Sequence, residues 1–193
     1  MNTDISYLNG VYHGDGYCSE QTVGLKAKDK DFVTAYMNCF NSFFKTNKSI
    51  RKEGVYYVFR TSNKTGIFNA VREFIPQTKI EKAKWIQGFF DSDGNANCTK
   101  VKKYPNSYYR RISFYKTDID TINILKAYLN ELEISYKERI TKNSSTHYGS
   151  KQVIEIKLSS GKANFLLFKN VVSSNIHRKF LIIEKIVSTY SIK

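Results

Sequence analysis

The chain writes one pattern twice. YLNGVYHGDGY (7–17) lines up with WIQGFFDSDGN (85–95), each reading apolar, polar, glycine, three mixed residues, a small residue, then Asp-Gly. The offset is 93 − 15 = 78 residues. Two further pairs follow in the same order. VGLKAKDKDFVTAY (23–36) matches ISFYKTDIDTINIL (112–125), and VYYVFRTSNKTGIF (55–68) matches QVIEIKLSSGKANF (152–165). In these pairs Asp29 falls over Asp118, Asp31 over Asp120, Arg60 over Lys157 and Phe68 over Phe165. Ordered matches of this kind indicate a duplicated unit, and self-similarity constrains the fold before any single motif does.

Each unit opens with a helix ending at the Asp-Gly, spanning 5–14 and 81–92. Two strands follow, as a hairpin within 17–28 and as strands at 95–102 and 108–116 turned by Tyr104-Pro105-Asn106-Ser107. A helix comes next at 30–46 and 118–132, then a strand pair ending in 55–62 and 152–159. A helix at 65–75 and 161–172 closes the unit, and a tail helix covers 176–190. Thr78 and Glu81 form a capping box just after Pro76, which puts the linker between halves at 76–78 and divides the chain into 1–76 and 77–193. The fold class is α/β (α+β): duplicated αββαββα units related by a pseudo-two-fold axis, with two antiparallel, saddle-shaped sheets covered by helices on one face.

Alternation along the strands separates two faces. Val23, Leu25, Ile112, Phe114, Phe59 and Ile156 point one way, toward the helices. The other way point Lys26, Arg60, Arg111, Ser113, Tyr115 and Lys157, residue types that contact bases and phosphates. Lys28, Lys100, Lys102 and Lys116 extend that basic set. For any one strand a plain solvated face explains the pattern equally well. Its recurrence in both repeats favours a working surface.

Gly10 and Gly14 lie four apart, as do Gly88 and Ser92, so each opening helix has a side almost without side chains. Two such helices can bring their backbones together, and a half of under about 80 residues would be marginal without that seam. Gly16 and Gly94 are expected as left-handed helix caps. Asp15 and Asp93 then stand at helix C-termini, against the helix dipole, at a cost of roughly 0.3–1 kcal/mol each. One Asp-Gly is an ordinary turn. Two at matching places point to a cation between them, and an oxygen-only site points to a hard ion such as Mg²⁺. A calcium loop over 91–102 is excluded, because glycine falls fourth rather than sixth and the twelfth residue, Lys102, is not an acid.

Charge names the partner. The 31 Lys and Arg against 17 Asp and Glu give a formal +14, spread from Lys26 to Lys193. A folded domain so charged repels itself, and a polyanion is the usual compensation, although a lysine-rich proteome would also yield a basic protein. With 41% apolar and 15% aromatic residues the chain can bury a core. No apolar run approaches the roughly 18 residues of a membrane helix, and the start MNTDIS is no signal peptide. The expectation is an intracellular protein, in cytoplasm, nucleoid or organelle matrix, without a membrane partner. Cys18, Cys39 and Cys98 are odd in number and lack a C-x-x-C pair, so they read as packing thiols in a reducing compartment.

LNGVYHGDG (8–16) and IQGFFDSDG (86–94) resemble the two copies of the LAGLIDADG motif, and the αββαββα order resembles that family over nearly the whole chain. The resemblance implies a single-chain, monomeric homing endonuclease that cuts double-stranded DNA with Mg²⁺ or another hard divalent cation. Its metal ligands would be Asp15 and Asp93, with the main-chain carbonyls of Gly14 and Ser92. Lys26 and Tyr115 would stand at the strand ends near each scissile phosphate, with Lys28 and Lys116 adjacent and His177 or Lys179 as lesser alternatives. The first acidic position of the motif is Asp91 in the second copy but His13 in the first, a departure at a position that serves structure more than chemistry. Unequal halves imply a long, asymmetric target cut across the minor groove. No splicing residues flank the chain, so an intron-encoded, freestanding enzyme is expected. Two other readings stay open: an RNA maturase or regulator on the same fold, with intron RNA as partner, and an unrelated basic α/β protein.

Overall fold

The structure is a computed structural model that describes residues 2–18, 21–62, 66–142 and 152–190. Helix α1 (Asn2–His13) leads into strands β1 (Tyr17–Cys18) and β2 (Thr22–Ala27), helix α2 (Lys30–Phe44), strands β3 (Arg51–Glu53) and β4 (Tyr56–Ser62), and helix α3 (Ile67–Arg72). The second pass runs α4 (Lys79–Asp93), β5 (Gly94–Val101), β6 (Tyr104–Lys116), α5 (Ile119–Glu131), β7 (Tyr136–Lys142), β8 (Gln152–Leu158) and α6 (Lys162–Val171), followed by α7 (His177–Ser188). Each pass forms a four-stranded antiparallel sheet, in the orders β1-β2-β4-β3 and β5-β6-β8-β7.

Strand register verifies the duplication residue by residue. Gly24 pairs with Arg60 and Leu25 with Phe59, as Ser113 pairs with Lys157 and Phe114 with Ile156. Cys18 pairs with Val23, as Ala96 pairs with Ile112. These equivalences are those of the aligned repeats, so Lys26 stands over Tyr115 and Val58 over Glu155. The hairpin turn differs from expectation. It lies at 102–103, and Tyr104 already opens β6, opposite Val101. The register shift between Lys100 and Val101 absorbs the difference.

Two compact units emerge, Met1–Ser92 with Ser174–His177, and Asp93–Ser173 with Arg178–Lys193. The sequence reading places the division at residue 76, whereas the compact units divide later, because α4 packs on α1. A Cβ on Gly10 would lie 2.0 Å from the Trp85 carbonyl oxygen, and one on Gly88 2.2 Å from that of Tyr7. These are backbone-to-backbone approaches that only glycine permits. Trp85 Nε1 donates to Asn9 Oδ1 (2.6 Å), and Asn9 Nδ2 donates to the Val71 carbonyl (2.5 Å). Both polar side chains are thereby satisfied inside the core. The first unit's core joins Leu8 and Val11 of α1 to Val23, Leu25 and Phe59 of the sheet and Phe32, Val33, Tyr36 and Phe40 of α2. In the second unit the same sheet side buries Ile112, Phe114 and Ile156, along with Leu125, Phe165 and Phe168 from the helices.

The capping box forms as read: Glu81 N donates to Thr78 Oγ1 (3.2 Å), and Thr78 N donates to Glu81 Oε2 (3.0 Å). The Asp-Gly glycines do not act as left-handed caps, since among the described residues only Gly54, Gly66 and Gly161 are glycines with positive φ. Gly16 is needed for space instead. Its N–H bonds the Val11 carbonyl (2.8 Å), and a Cβ there would lie 2.9 Å from that same oxygen. Gly94 begins β5. Burial pushes the Cys39 thiol up to about 12, so it stays protonated as a packing group, and Cys98 is buried too.

Asp91, the first acid of the second motif, is 2% exposed. It accepts from the Tyr7 hydroxyl (2.9 Å), the Ser174 hydroxyl (2.5 Å) and the Asn175 N–H (3.2 Å). Its counterpart His13 instead lies against the Trp85 ring, 5.3 Å between centroids. The two positions therefore do different structural jobs.

Two stability measurements follow. Gly88→Ala should gain about 1 kcal/mol of helix propensity yet lose about 3 kcal/mol net, because the methyl meets backbone that cannot move aside. A melting temperature lowered by roughly 6–12 °C would agree, and an unchanged one would mean the seam is looser than described. Asp91→Ala strands three donors and should cost about 3 kcal/mol or more, whereas His13→Ala should cost about 1 kcal/mol. Equal losses in chemical denaturation would contradict the separate roles.

Candidate metal site and nucleic-acid face

Small residues lie where the opening helices end. A Cβ on Gly14 would lie 2.2 Å from the Ser92 Cβ. The next residue in each copy is the Asp-Gly aspartate. Asp15 lies exposed in the turn after α1, within the first unit, and Asp93 is the last residue of α4 and the first of the second unit. Asp93 Oδ2 receives the Lys116 ammonium at 2.6 Å, both side chains about one-fifth exposed. That carboxylate is already placed to draw a cation. Each aspartate brings a carboxylate, and the residue before it, Gly14 or Ser92, brings a main-chain carbonyl, so each copy offers oxygen donors. Among the described residues no group of three or more His, Cys, Asp or Glu is placed to hold a metal ion. Oxygen donors of this kind suit a hard divalent ion, which keeps several waters.

Pairing across strands places residues on a common face. In the first sheet that face carries Tyr17 beside Gly24 and Arg60, then Lys26, Val58 and Arg51. Gly24 leaves room for the Tyr17 ring, whose hydroxyl would lie 2.6 Å from a Cβ there. The same hydroxyl accepts from Arg60 Nε (3.0 Å). Lys26 pairs with Glu53 at 3.2 Å and lies over the Tyr56 ring, and Lys28 also lies over that ring, 5.8 Å from its centroid. Lys26 and neighbouring Arg51 hold the Glu53 carboxyl below its usual range.

In the second sheet the corresponding face carries Arg111, Ser113, Tyr115, Glu155 and Lys157, with Lys137 and Arg139 on β7. Arg111 Nη2 bonds both the Tyr115 hydroxyl and Glu155 Oε1, the latter at 2.5 Å. Tyr109, Arg111, Lys137, Glu138, Arg139, Glu155 and Lys157 line a cleft of about 350 Å³. Four of the residues read as the polar face are placed differently. Ser113 is fully buried, its hydroxyl 3.4 Å from that of Tyr115, so it supports the face rather than presenting a contact. Lys116 lies on the helix-covered side, paired with Ile154, which is why it reaches Asp93. Lys100 shares the side of buried Cys98, although its own side chain is exposed, and Lys102 is exposed in the turn.

Arg51, Lys137 and Arg139 went unread in the sequence. They lie on β3 and β7, and the register makes Arg51 the counterpart of Arg139, since Val58 pairs with Arg51 and Glu155 with Arg139. The polar alternation of KERITK, beside a strand already assigned, was the available signal. His177 and Lys179 belong to α7. The His177 N–H donates to Asp31 (2.5 Å) and Lys179 is buried, which ties both to packing.

The profile of the LAGLIDADG-like domain matches residues 81–181. An uncharacterized protein of Methanocaldococcus jannaschii is 26% identical over 160 residues, covering 72% of this chain. The chain spans about 58% of that relative's length. I-DmoI in complex with DNA and Ca superposes with a TM-score of 0.65 at 16% identity, over 95% of this chain and 98% of that one. The N-terminal LAGLIDADG domain of a WhiA protein gives 0.61 at 14% identity, over 89% of this chain and 82% of that one. Structural likeness at such identities speaks to fold. Because the family profile spans 181 − 81 + 1 = 101 of the 193 residues, from the second Asp-Gly helix to the last helix, the chain belongs to the LAGLIDADG family.

Proposed function

We propose that this chain is a site-specific endodeoxyribonuclease that makes a double-strand break in a long, asymmetric DNA target, using Mg²⁺ or another hard divalent cation. One observation carries the reading: both copies of the repeat keep an aspartate directly after the small residues Gly14 and Ser92 that meet at the end of the helix seam, and each unit also carries a basic sheet face. I-DmoI, described as a homing endonuclease, was solved with DNA and Ca and with DNA and Mn. The natural substrate on this reading is the intron-free allele of the gene that carries the coding sequence, cut by a single chain.

Asp15 and Asp93, with the carbonyls of Gly14 and Ser92, would hold the cation, which supplies Lewis-acid stabilisation of charge at phosphorus and a water of lowered pKa. Lys116 fixes the Asp93 carboxylate. Lys26 and Tyr115, equivalent by register, are the side chains we assign to the strand ends near the phosphates. Lys28, Arg51, Arg60, Lys137, Arg139 and Lys157 supply the positive field that gathers the duplex onto the sheets.

The test begins with a randomised duplex library, from which ends cut in Mg²⁺ are captured and sequenced. Asp15→Asn and Asp93→Asn preserve shape and remove one charge, and each should lower double-strand cleavage on the order of 100-fold or more. Both variants should still bind duplex, with log affinity falling by about 0.9 per neutralised phosphate as log salt rises. Cleavage at the wild-type rate by either variant would refute the assignment. Salt-dependent binding without any cutting by the wild type would favour a non-catalytic nucleic-acid binder.

A further inference from the structure

Glu155 is an odd residue to bury on a face built to meet a polyanion. It is 5% exposed, in the middle of the second sheet, paired with Tyr115 on one side and Arg139 on the other. A buried carboxylate there costs desolvation and repels phosphate unless a cation answers it. The fold does not require it, because the equivalent position in the first sheet is Val58, which is fully buried. Arg111 is also confined to one repeat, since the register places Thr22 over it. Glu155 and Arg111 therefore occur together in the second sheet and not in the first, and the pair sets that half apart.

Its geometry is that of a clamp. Arg111 Nη2 is taken by Glu155 and the Tyr115 hydroxyl, and Nη1 donates to the Tyr109 hydroxyl at a longer 3.3 Å. Arg111 Nε is buried with no hydrogen-bond partner. The guanidinium is thus held at one end while a quarter of the arginine side chain remains exposed, beside the cleft that Lys137, Arg139 and Lys157 also line. A free arginine on such a face would follow the nearest phosphate and add affinity without sequence information. A clamped one keeps its remaining donors in one place, as recognition of a base edge demands.

We infer that Glu155 is a specificity-determining positioning residue: it withholds Arg111 from the phosphates and fixes it as a donor to a single base pair of the target. The inference rests on the function proposed above. With both Nη2 hydrogens engaged and Nε buried, the spare Nη1 hydrogen selects an acceptor, and guanine, with O6 and N7 side by side in the major groove, offers the richest acceptor edge. The base pair read through Arg111 therefore carries guanine. With Val58 in the matching place, the first sheet lacks this device, and the two halves of the target are read by different means.

The experiment is the library selection repeated with Glu155→Gln and with Glu155→Val, the latter installing the side chain that the first sheet already accommodates. Melting temperatures confirm that each variant folds. In the wild type one position should prefer guanine by about 5-fold or more, the lower end of what a bidentate arginine–guanine contact gives. Both variants should flatten that position and leave the others intact, and Arg111→Ala should flatten the same one. Release of Arg111 to phosphate should steepen the salt dependence of binding by about one unit. An unchanged profile, or preference lost evenly at every position, overturns the inference while leaving the nuclease standing. A wild type that neither cuts nor selects any sequence overturns the proposed function itself.

Discussion

The constraint on which the rest depends is the contact of two helix backbones at Gly10 and Gly88. Carbonyl oxygens of Tyr7 and Trp85 occupy the places where side chains would begin. A helix interior favours other residues over glycine by up to about 1 kcal/mol per position, so the sequence gives up local stability to obtain this approach. In return α4 joins the first unit although it begins the second repeat. Each helix then delivers an aspartate one residue past its last small side chain. The chemistry proposed for this chain needs two acids delivered in the same way, and a duplicated helix provides that by construction.

Charge organises what surrounds the seam. A chain of formal +14 uses its acids sparingly on the described strands, where Glu53 holds Lys26, Glu138 holds Lys126 and Glu155 holds Arg111, while Asp93 at the end of α4 holds Lys116. The exposed Lys26–Glu53 pair adds little stability, as surface pairs do. Its consequence is orientation. Duplication supplies the scaffold and divergence at matching places supplies difference: Gly24 against Ser113, Val58 against Glu155, Lys26 against Tyr115. A surface read by unlike residues at like positions suits a target without symmetry.

Much of this was legible in the sequence because it was written twice. The aligned repeats gave the correspondence of positions between the two sheets, since a one-residue slip would have reversed every side chain, although the turn between β5 and β6 lies earlier than read. The Thr78–Glu81 capping box was legible because it is local. What failed depended on space rather than pattern. Gly16 reads as a left-handed cap, yet it answers the crowding of Val11 and Tyr12. Lys116 reads as one more basic residue of the polar face, but strand parity turns it toward the helices and Asp93. Arg51 and Arg139 escaped notice because β3 and β7 are polar strands with little apolar alternation of their own, and only pairing reveals their face. The pairing of Glu155 with Arg111 was invisible for a related reason: the two are 44 residues apart and meet through the register of two strands.

The central proposal is that Asp15 and Asp93 are the residues at which a hard cation works. Iron offers the most direct test. Fe²⁺ loaded in place of Mg²⁺, then treated with ascorbate and peroxide, cuts polypeptide beside the bound ion, and the fragments map it without knowledge of the DNA target. The account predicts breaks near residues 14–16 and 92–94, both competed by excess Mg²⁺ and both lost when Asp15 and Asp93 are replaced together by asparagine. Breaks that map elsewhere, or that persist in the double variant, would contradict it.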